Sequence, residues 1–238
     1  MGHDFGPRSR EVEDLLSRLD DVLGTLIRTL DDTVGREHYV LALAADHGVA
    51  PIPEQQPDGG RIAAEDLQQV VENVLVARWG APASGRYVES VAVGHVYFAD
   101  GVFARLAKVP ADLQAVTQRL RAVPGVLRVL RSDRLSATSS DRAVRAAALG
   151  YVPDRSGDLI VLPRPYWVQE LRADADATTH GTMYSYDRQV PILLLGGGIR
   201  PGRYERRVSP ADIAPTLALM AGVPLPTAEG RPLREALR

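Results

Sequence analysis

An unbroken apolar stretch at residues 39–45 constrains this sequence most, because it ends at Asp46, His47 and Gly48. Apolar residues without polar alternation predict a strand buried on both faces, as in the parallel sheet of an α/β protein. In open α/β sheets, ligands bind beyond the carboxyl ends of the strands, where Asp46 and His47 would lie. A carboxylate beside a neutral imidazole suits Zn²⁺ or a similar divalent ion. The alternative is an ordinary turn, in which Asp46 caps a helix and His47 is exposed.

Two further apolar stretches, at residues 159–162 and 192–195, also have the length of a strand. Segments with apolar residues at helical spacing separate the three stretches, and the longest of these segments runs from Val12 to Leu30. Such an alternation of strands and helices predicts an α/β protein. We therefore expect a three-layer sandwich, in which one central, largely parallel sheet contains all three stretches.

The middle of the sequence has a different order of elements. Between residues 61 and 135, helical spacing alternates with two stretches that have the character of strands. The first, Val91 to Phe98, is rich in β-branched and aromatic residues. The second, Val126–Arg131, has the period of two that is typical of a half-exposed strand. The order helix, strand, helix, strand predicts a small α+β insertion of split βαβ type. We therefore expect a first part of the core at residues 1–60, the insertion at 61–135 and a second part of the core at 136–238.

The composition excludes several kinds of chemistry. The 238 residues include no cysteine, so thiolate zinc sites, disulfide bonds and cysteine nucleophiles are absent. A formal net charge of -2 gives no electrostatic reason to expect nucleic acid as a partner. No apolar stretch approaches the roughly 20 residues of a membrane-spanning helix, so the sequence predicts no membrane span.

Two more histidines, His3 and His180, lie in loops that border strands of the predicted sheet. Imidazoles and carboxylates from distant loops form one metal site only where the fold brings them together. We expect His3, Asp46, His47 and His180 to cluster at one edge of the central sheet. Such a cluster would resemble the sites of two-metal enzymes.

Five motifs occur in the order found in a known family. They are Gly2-His3 with Phe5-Gly6-Pro7, Ala45-Asp46-His47-Gly48, Arg155-Ser156-Gly157-Asp158, Thr179-His180-Gly181-Thr182, and Val190-Pro191 followed by Asp212-Ile213-Ala214-Pro215-Thr216-Leu217. With these motifs the chain resembles the C-terminal half of the alkaline phosphatase superfamily, in its type I phosphodiesterase and nucleotide pyrophosphatase-like branch. The resemblance runs from Gly2 to about Leu233, and the middle region matches least.

The resemblance implies a chemistry and a set of metal ligands. Enzymes of this superfamily hydrolyse phosphate esters at two zinc ions, with a threonine or serine alkoxide that forms a covalent phospho-enzyme. Asp46 and His47 match ligands of the metal that activates this nucleophile. His3 and His180 match ligands of the second metal, which activates the attacking water. The implied substrate is a small phosphate mono- or diester, and the family suggests a periplasmic or extracellular location.

The sequence also departs from the family pattern. The second-metal motif of the family is Asp-x-x-Gly-His, and the chain begins too late to contain its aspartate. The family's nucleophile and a further carboxylate ligand belong to its N-terminal half, so we assign no serine or threonine of this chain as nucleophile. The resemblance therefore implies a C-terminal fragment with two half-complete metal sites, which is inactive by itself.

Two other functions are open at this point. In the first, the chain is a non-catalytic α/β module whose acid–imidazole pairs are remnants or regulatory metal sites. In the second, it is a different metal phosphohydrolase, because His3-Asp4 resembles the motif of HD domains and Asp46-His47 that of DHH phosphoesterases. HD domains are helical, which the predicted strands contradict, and the DHH motif needs a second histidine where Gly48 stands.

Overall fold

The computed structural model describes residues 1–83, 85–170 and 176–238. The chain divides into two compact units. We call Met1–Ser9 together with Val49–Arg188 the large unit, and Arg10–Gly48 together with Gln189–Arg238 the small unit. Each unit is therefore built from two segments that are distant in sequence.

Helices and strands alternate along the described residues, which confirms the predicted α/β class. The helices are α1 (Gly2–Phe5), α2 (Arg10–Thr33), α3 (Ala64–Trp79), α4 (Val102–Lys108), α5 (Pro110–Arg121), α6 (Arg142–Gly150), α7 (Ser185–Arg188) and α8 (Ile213–Met220). The strands are β1 (Val40–Ala44), β2 (Gly60–Ala63), β3 (Val88–Ala92), β4 (His95–Phe98), β5 (Val126–Arg131), β6 (Leu159–Pro163), β7 (Trp167–Glu170) and β8 (Ile192–Gly196). In the described part of the chain, none of the helices has the length and apolar character needed to cross a membrane.

The main sheet of the large unit has four antiparallel strands in the order β3–β4–β6–β5. Strand β6 lies between two neighbours, and its residues Leu159, Ile160 and Val161 are all buried. Successive residues of a strand point to opposite faces, so burial of all three means that both faces of β6 are covered. This position explains why β6 has an unbroken apolar sequence. Strands β2 and β7 form a separate parallel pair.

Helices α3 and α5 contribute the helical side of the same core. Leu67, Val71 and Leu75 recur every four residues on one face of α3 and are buried. Leu113 and Leu120 are buried on one face of α5. These side chains pack in one cluster with apolar residues of all four strands of the main sheet. Removal of this apolar surface from water is the main force that stabilises the large unit.

In the small unit, β1 and β8 form a two-stranded antiparallel sheet, in which Val40 lies opposite Gly196. Every residue of β1 is only half-buried, and Leu193 in β8 is exposed. Helix α2 has no buried residue along its 24 residues. The apolar residues that predicted a buried strand and an inward helix face are therefore partly open to solvent in this unit.

The structure corrects the predicted arrangement of strands. Residues 39–45 and 192–195 contribute to one sheet and residues 159–162 to another, so the expectation that all three stretches share one central sheet is wrong. The β1–β8 pair and the four-stranded sheet are antiparallel, and among the described strands only β2 and β7 pair in parallel. The physical reason is that an unbroken apolar stretch indicates a buried strand, but it does not indicate which strand it pairs with or whether the two strands are parallel.

The strands of the predicted insertion belong to a sheet that extends beyond it. Strands β3, β4 and β5 lie within residues 61–135, but β4 and β5 are joined through β6, which comes later in the chain. The boundaries 1–60, 61–135 and 136–238 stay predictions. The pairing in the large unit favours a compact region that includes β6.

Candidate metal site

His3 lies on α1, a single helical turn that is capped at its C-terminus by Gly6. A Cβ atom at Gly6 would lie 2.7 Å from Ile52, and the φ of Gly6 is +82°, so this turn favours glycine. The Nδ1 atom of His3 is 3.0 Å from the backbone oxygen of Thr178. Because a carbonyl oxygen can only accept a hydrogen bond, Nδ1 donates its proton and the lone pair of the neutral ring is on Nε2. A hydrogen bond of this kind typically orients a metal-binding histidine.

His180 lies beside His3 in the large unit. The centroids of the two rings are 5.2 Å apart and their planes are tilted by 57°. The backbone also joins the two segments, because the N–H group of Thr178 donates to the backbone oxygen of His3 at 3.1 Å. The structure therefore brings together the two histidines that the resemblance assigns to one metal ion.

The buried carboxylate of Asp187 holds the loop that follows His180. It accepts hydrogen bonds from the backbone N–H and the hydroxyl of Thr182, at 2.8 and 2.6 Å. The rings of two tyrosines in the same segment, Tyr184 and Tyr186, lie 5.4 Å apart with their planes tilted by 33°, and burial raises the pKa of both phenols. The sequence analysis missed Asp187, because its role depends on a loop conformation. Its position seven residues after a motif histidine was the available signal.

Asp46 and His47 lie just beyond the end of β1 in the small unit, close to where the sequence predicts them. Nδ1 of His47 is 2.7 Å from the backbone oxygen of Gly48, so the lone pair of this neutral ring is also on Nε2. Nε2 lies 3.6 Å from Oδ2 of Asp46. Two ligand atoms, each about 2 Å from one tetrahedral zinc ion, are about 3.3 Å apart. The spacing of this imidazole and carboxylate therefore fits a shared divalent ion.

Each of the two pairs offers two ligand side chains. Within the described residues, no group of three or more histidine, aspartate or glutamate side chains is arranged to hold a metal ion. His3 and His180 belong to the large unit, whereas Asp46 and His47 belong to the small unit. The prediction that all four side chains form one cluster therefore stays a prediction.

The carboxylate of Asp158, which belongs to another of the five motifs, has a structural contact. Its Oδ2 atom accepts a hydrogen bond from the backbone N–H of Phe98 in β4 at 3.0 Å. Burial raises the pKa of this carboxyl group. The hydrogen bond joins the turn before β6 to the neighbouring strand, which accounts for an aspartate at this position without any metal.

The fold described above is that of a family of phosphate-ester hydrolases. Residues 1–186 match the family described as type I phosphodiesterase / nucleotide pyrophosphatase. Because this match covers most of the sequence, the chain belongs to that family.

Two relatives align with the whole chain. A protein named calcium-transporting ATPase from Myroides odoratus is 30% identical over 244 residues. Alkaline phosphatase PafA from Elizabethkingia meningoseptica is 31% identical over 245 residues. Each alignment covers 100% of this chain and 44% of the relative. The chain therefore spans less than half the length of the relatives it matches.

Solved structures show the same fold. The crystal structure of wild-type PafA superposes with a TM-score of 0.83 at 30% identity, and the match covers 100% of this chain and 45% of PafA. Human ectonucleotide pyrophosphatase/phosphodiesterase 5 superposes with a TM-score of 0.70 at 15% identity, covering 100% of this chain and 56% of that protein. The predicted alkaline phosphatase-like fold is therefore confirmed.

Proposed function

We propose that this chain is the metal-binding half of a two-zinc phosphate-ester hydrolase. The observation that carries the proposal is the juxtaposition of His3 and His180, whose rings are 5.2 Å apart in a chain of this family. Asp46 and His47 would supply the ligands of the other zinc ion. When bound, two zinc ions supply Lewis acids that polarise a phosphoryl oxygen and lower the pKa of a bound hydroxyl or water.

The residues of this chain would bind and orient the two ions. The backbone oxygens of Thr178 and Gly48 accept the Nδ1 protons of His3 and His47, which leaves Nε2 of each ring as the ligand atom. The substrate would be a small phosphate mono- or diester. No residue of this chain is proposed as the nucleophile, and the covalent phospho-threonine or phospho-serine would form on another segment.

Two features support a complete enzyme larger than this chain. The relatives named as alkaline phosphatases, PafA among them, are more than twice as long as the aligned region. In addition, the apolar stripe of α2 is exposed, with Leu16 58% and Val22 64% accessible. Exposed apolar side chains in a row are uncommon on a stable isolated surface. We propose that a second polypeptide segment covers this stripe in the active enzyme and contributes the nucleophile.

The test compares the chain by itself with a chimaera in which it replaces the matching part of PafA. We expect the isolated chain to hydrolyse para-nitrophenyl phosphate no faster than its His180→Ala variant. The chimaera should show zinc-dependent turnover, and His47→Ala in the chimaera should abolish most of it. Thermal melting of the chimaera and of its His47→Ala variant would show that both proteins are folded. Zinc-dependent turnover by the isolated chain would contradict the proposal, because a nucleophile would then lie within it.

The alternative is a non-catalytic module with regulatory metal sites. It is favoured by the observation that, within the described residues, each pair has two ligand side chains, whereas catalytic zinc generally has three protein ligands. A folded chimaera that binds zinc and has no phosphatase or phosphodiesterase activity would support the module.

A further inference from the structure

The backbone N–H and C=O groups of Thr178 each make a hydrogen bond to His3, which is 175 positions away in the sequence. Its N–H donates to the backbone oxygen of His3 at 3.1 Å, and its own backbone oxygen accepts the Nδ1 proton of His3 at 3.0 Å. Both the main chain and the ring of His3 are therefore attached to one residue. Because Thr178 is only two positions before His180, the same residue also fixes where the loop of His180 begins.

The side chain of Thr178 attaches a third segment. Its hydroxyl donates to the backbone oxygen of Ala50 at 2.8 Å, and the N–H of Ala50 donates to the backbone oxygen of Thr179 at 3.1 Å. Thr178 is 1% exposed, so the hydroxyl is a buried polar group whose hydrogen bond cannot be replaced by water. The α1 turn, the segment around Ala50 and the His180 loop thus meet at this threonine.

We propose that Thr178 is the positioning residue of the histidine pair. It holds His3 in the tautomer with Nε2 as the ligand atom, and it sets the separation of the His3 and His180 rings before any ion binds. The inference rests on the proposed function, because it takes both histidines as ligands of a divalent cation. Pre-arranged ligands bind more tightly, since less conformational freedom is lost on binding.

The hydroxyl makes a specific prediction about substitutions. Valine has nearly the shape of threonine but cannot donate to Ala50, so Thr178→Val leaves a buried carbonyl oxygen without this partner. Serine keeps the hydroxyl and loses only a methyl group. Replacing a residue that orients a ligand typically costs about 10- to 100-fold in metal affinity. We expect Thr178→Val to weaken zinc binding by at least about tenfold and Thr178→Ser to restore most of it.

The experiment uses the full chain and zinc alone as the probe. Zinc affinity is measured by competition with a chromophoric chelator for the wild type, Thr178→Val, Thr178→Ser, His3→Ala and His180→Ala. Urea unfolding followed by tryptophan fluorescence shows whether each variant is folded. The inference is overturned if Thr178→Val binds zinc as tightly as the wild type while His3→Ala and His180→Ala weaken binding.

A second measurement needs neither metal nor variant. Two-bond ¹H–¹⁵N spectra of the zinc-free wild-type chain, recorded where imidazole is neutral, report which nitrogen of His3 carries the proton. A proton on Nδ1 is expected, and a proton on Nε2 would overturn the inference even if Thr178→Val does not fold. If His3 has the expected tautomer but zinc binding is unaffected by His3→Ala and His180→Ala, the proposed function fails and the orienting role of Thr178 stands.

Discussion

Helix α3 in the large unit and helix α2 in the small unit both have an apolar stripe, but only that of α3 is covered. Leu75 on α3 is 0% exposed, whereas Leu16 on α2 is 58% exposed. Helical spacing of apolar residues predicts which face of a helix avoids water. It contains no information on whether the chain itself supplies the surface that covers this face.

The sheets of the two units differ in the same way. In the large unit, β6 has a strand on either side and helices pack against the sheet, whereas among the described strands β1 and β8 pair only with each other. An isolated two-stranded sheet is marginally stable in water. We therefore expect the stability of the isolated chain to reside mainly in the large unit. Both tryptophans, Trp79 and Trp167, belong to that unit, so their fluorescence reports its unfolding.

The largest effect is expected for Leu75→Ala in the core of the large unit. The change removes a fully buried side chain and leaves a cavity, which should lower the free energy of unfolding by about 4 kcal/mol. Urea unfolding monitored by tryptophan fluorescence measures it. Val76→Ala, next to it on the exposed side of α3, is the control and should cost far less. Equal losses at the two positions would mean that the core is not packed as described.

Two glycines with positive φ allow a matched comparison between the units. A Cβ atom at Gly125 (φ +83°) would lie 2.0 Å from the Trp167 ring, whereas one at Gly222 (φ +67°) meets nothing within 4 Å. Gly125→Ala should therefore add overpacking to backbone strain and cost about 3 kcal/mol. Gly222→Ala should cost only the strain, about 1 kcal/mol.

The position of Trp167 gives a second readout of this comparison. Its indole N–H donates to the backbone oxygen of Asp58 at 2.7 Å, and the ring must move to admit a methyl group at Gly125. The emission spectrum of folded Gly125→Ala should therefore shift, whereas that of Gly222→Ala should match the wild type. A larger loss of stability for Gly222→Ala than for Gly125→Ala would contradict the proposal that the large unit is the more tightly packed of the two.

The third prediction concerns the contribution of the Asp112 carboxylate to stability and its loss at low pH. Hydrogen bonds from Trp79 (2.6 Å) and Arg78 (2.5 Å) hold the pKa of this largely buried carboxyl group below its ordinary value. Because the folded-state pKa is the lower one, the stabilisation is present above the unfolded pKa and is lost as the pH falls through the folded value. Asp112→Asn should thus lower the urea midpoint at about pH 7, and the gap to the wild type should narrow below about pH 4.

The small unit supplies the control for this measurement. Asp14 pairs with Arg18 at 2.8 Å on the open surface of α2. Exposed ion pairs contribute little, so Asp14→Asn should leave the urea midpoint at neutral pH nearly unchanged. A gap between wild type and Asp112→Asn that persists unchanged into acid would show that the Asp112 carboxylate is not the source of the stabilisation.

The smallest effect is expected for Leu16→Gln on α2. Its side chain is exposed, so the substitution should alter the stability of the isolated chain by no more than about 0.5 kcal/mol. Thermal melting followed by circular dichroism measures this. In the chimaera with PafA, the same substitution should lower stability clearly, because a buried polar group would then lack a partner. Identical small effects in both proteins would argue that nothing covers α2.

Local features of the fold could be predicted from the sequence. The apolar spacing from Val12 to Leu30 gave a helix that the structure places at Arg10–Thr33. Ser209 and Asp212 form a capping box at the turn Pro210–Asp212, which leads into α8, and such a box can be recognised from neighbouring residues of the sequence. These features depend on residues within a few positions of one another, so the sequence contains the information directly.

The parts that could not be predicted depend on contacts across long separations. Nothing in residues 159–162 identifies β4 and β5 as their neighbours, because apolar side chains pack with many partners. At the site, the histidines can be recognised in the sequence as members of motifs, whereas the sequence does not distinguish Thr178 from other polar loop residues. Its importance lies in hydrogen bonds that span 175 and 128 positions, to His3 and Ala50.

The late position of β6 in the chain has a consequence for the order of folding during synthesis. Strands β3, β4 and β5 leave the ribosome first, but β4 and β5 are connected through β6. Until residue 163 has emerged, the backbone N–H and C=O groups along these edges have no strand to pair with, and they can pair with other nascent chains instead. Such a sheet forms late and slowly, because its strands pair across a large separation in the sequence. The main sheet of the large unit can therefore be completed only after β6, Leu159–Pro163, has been made.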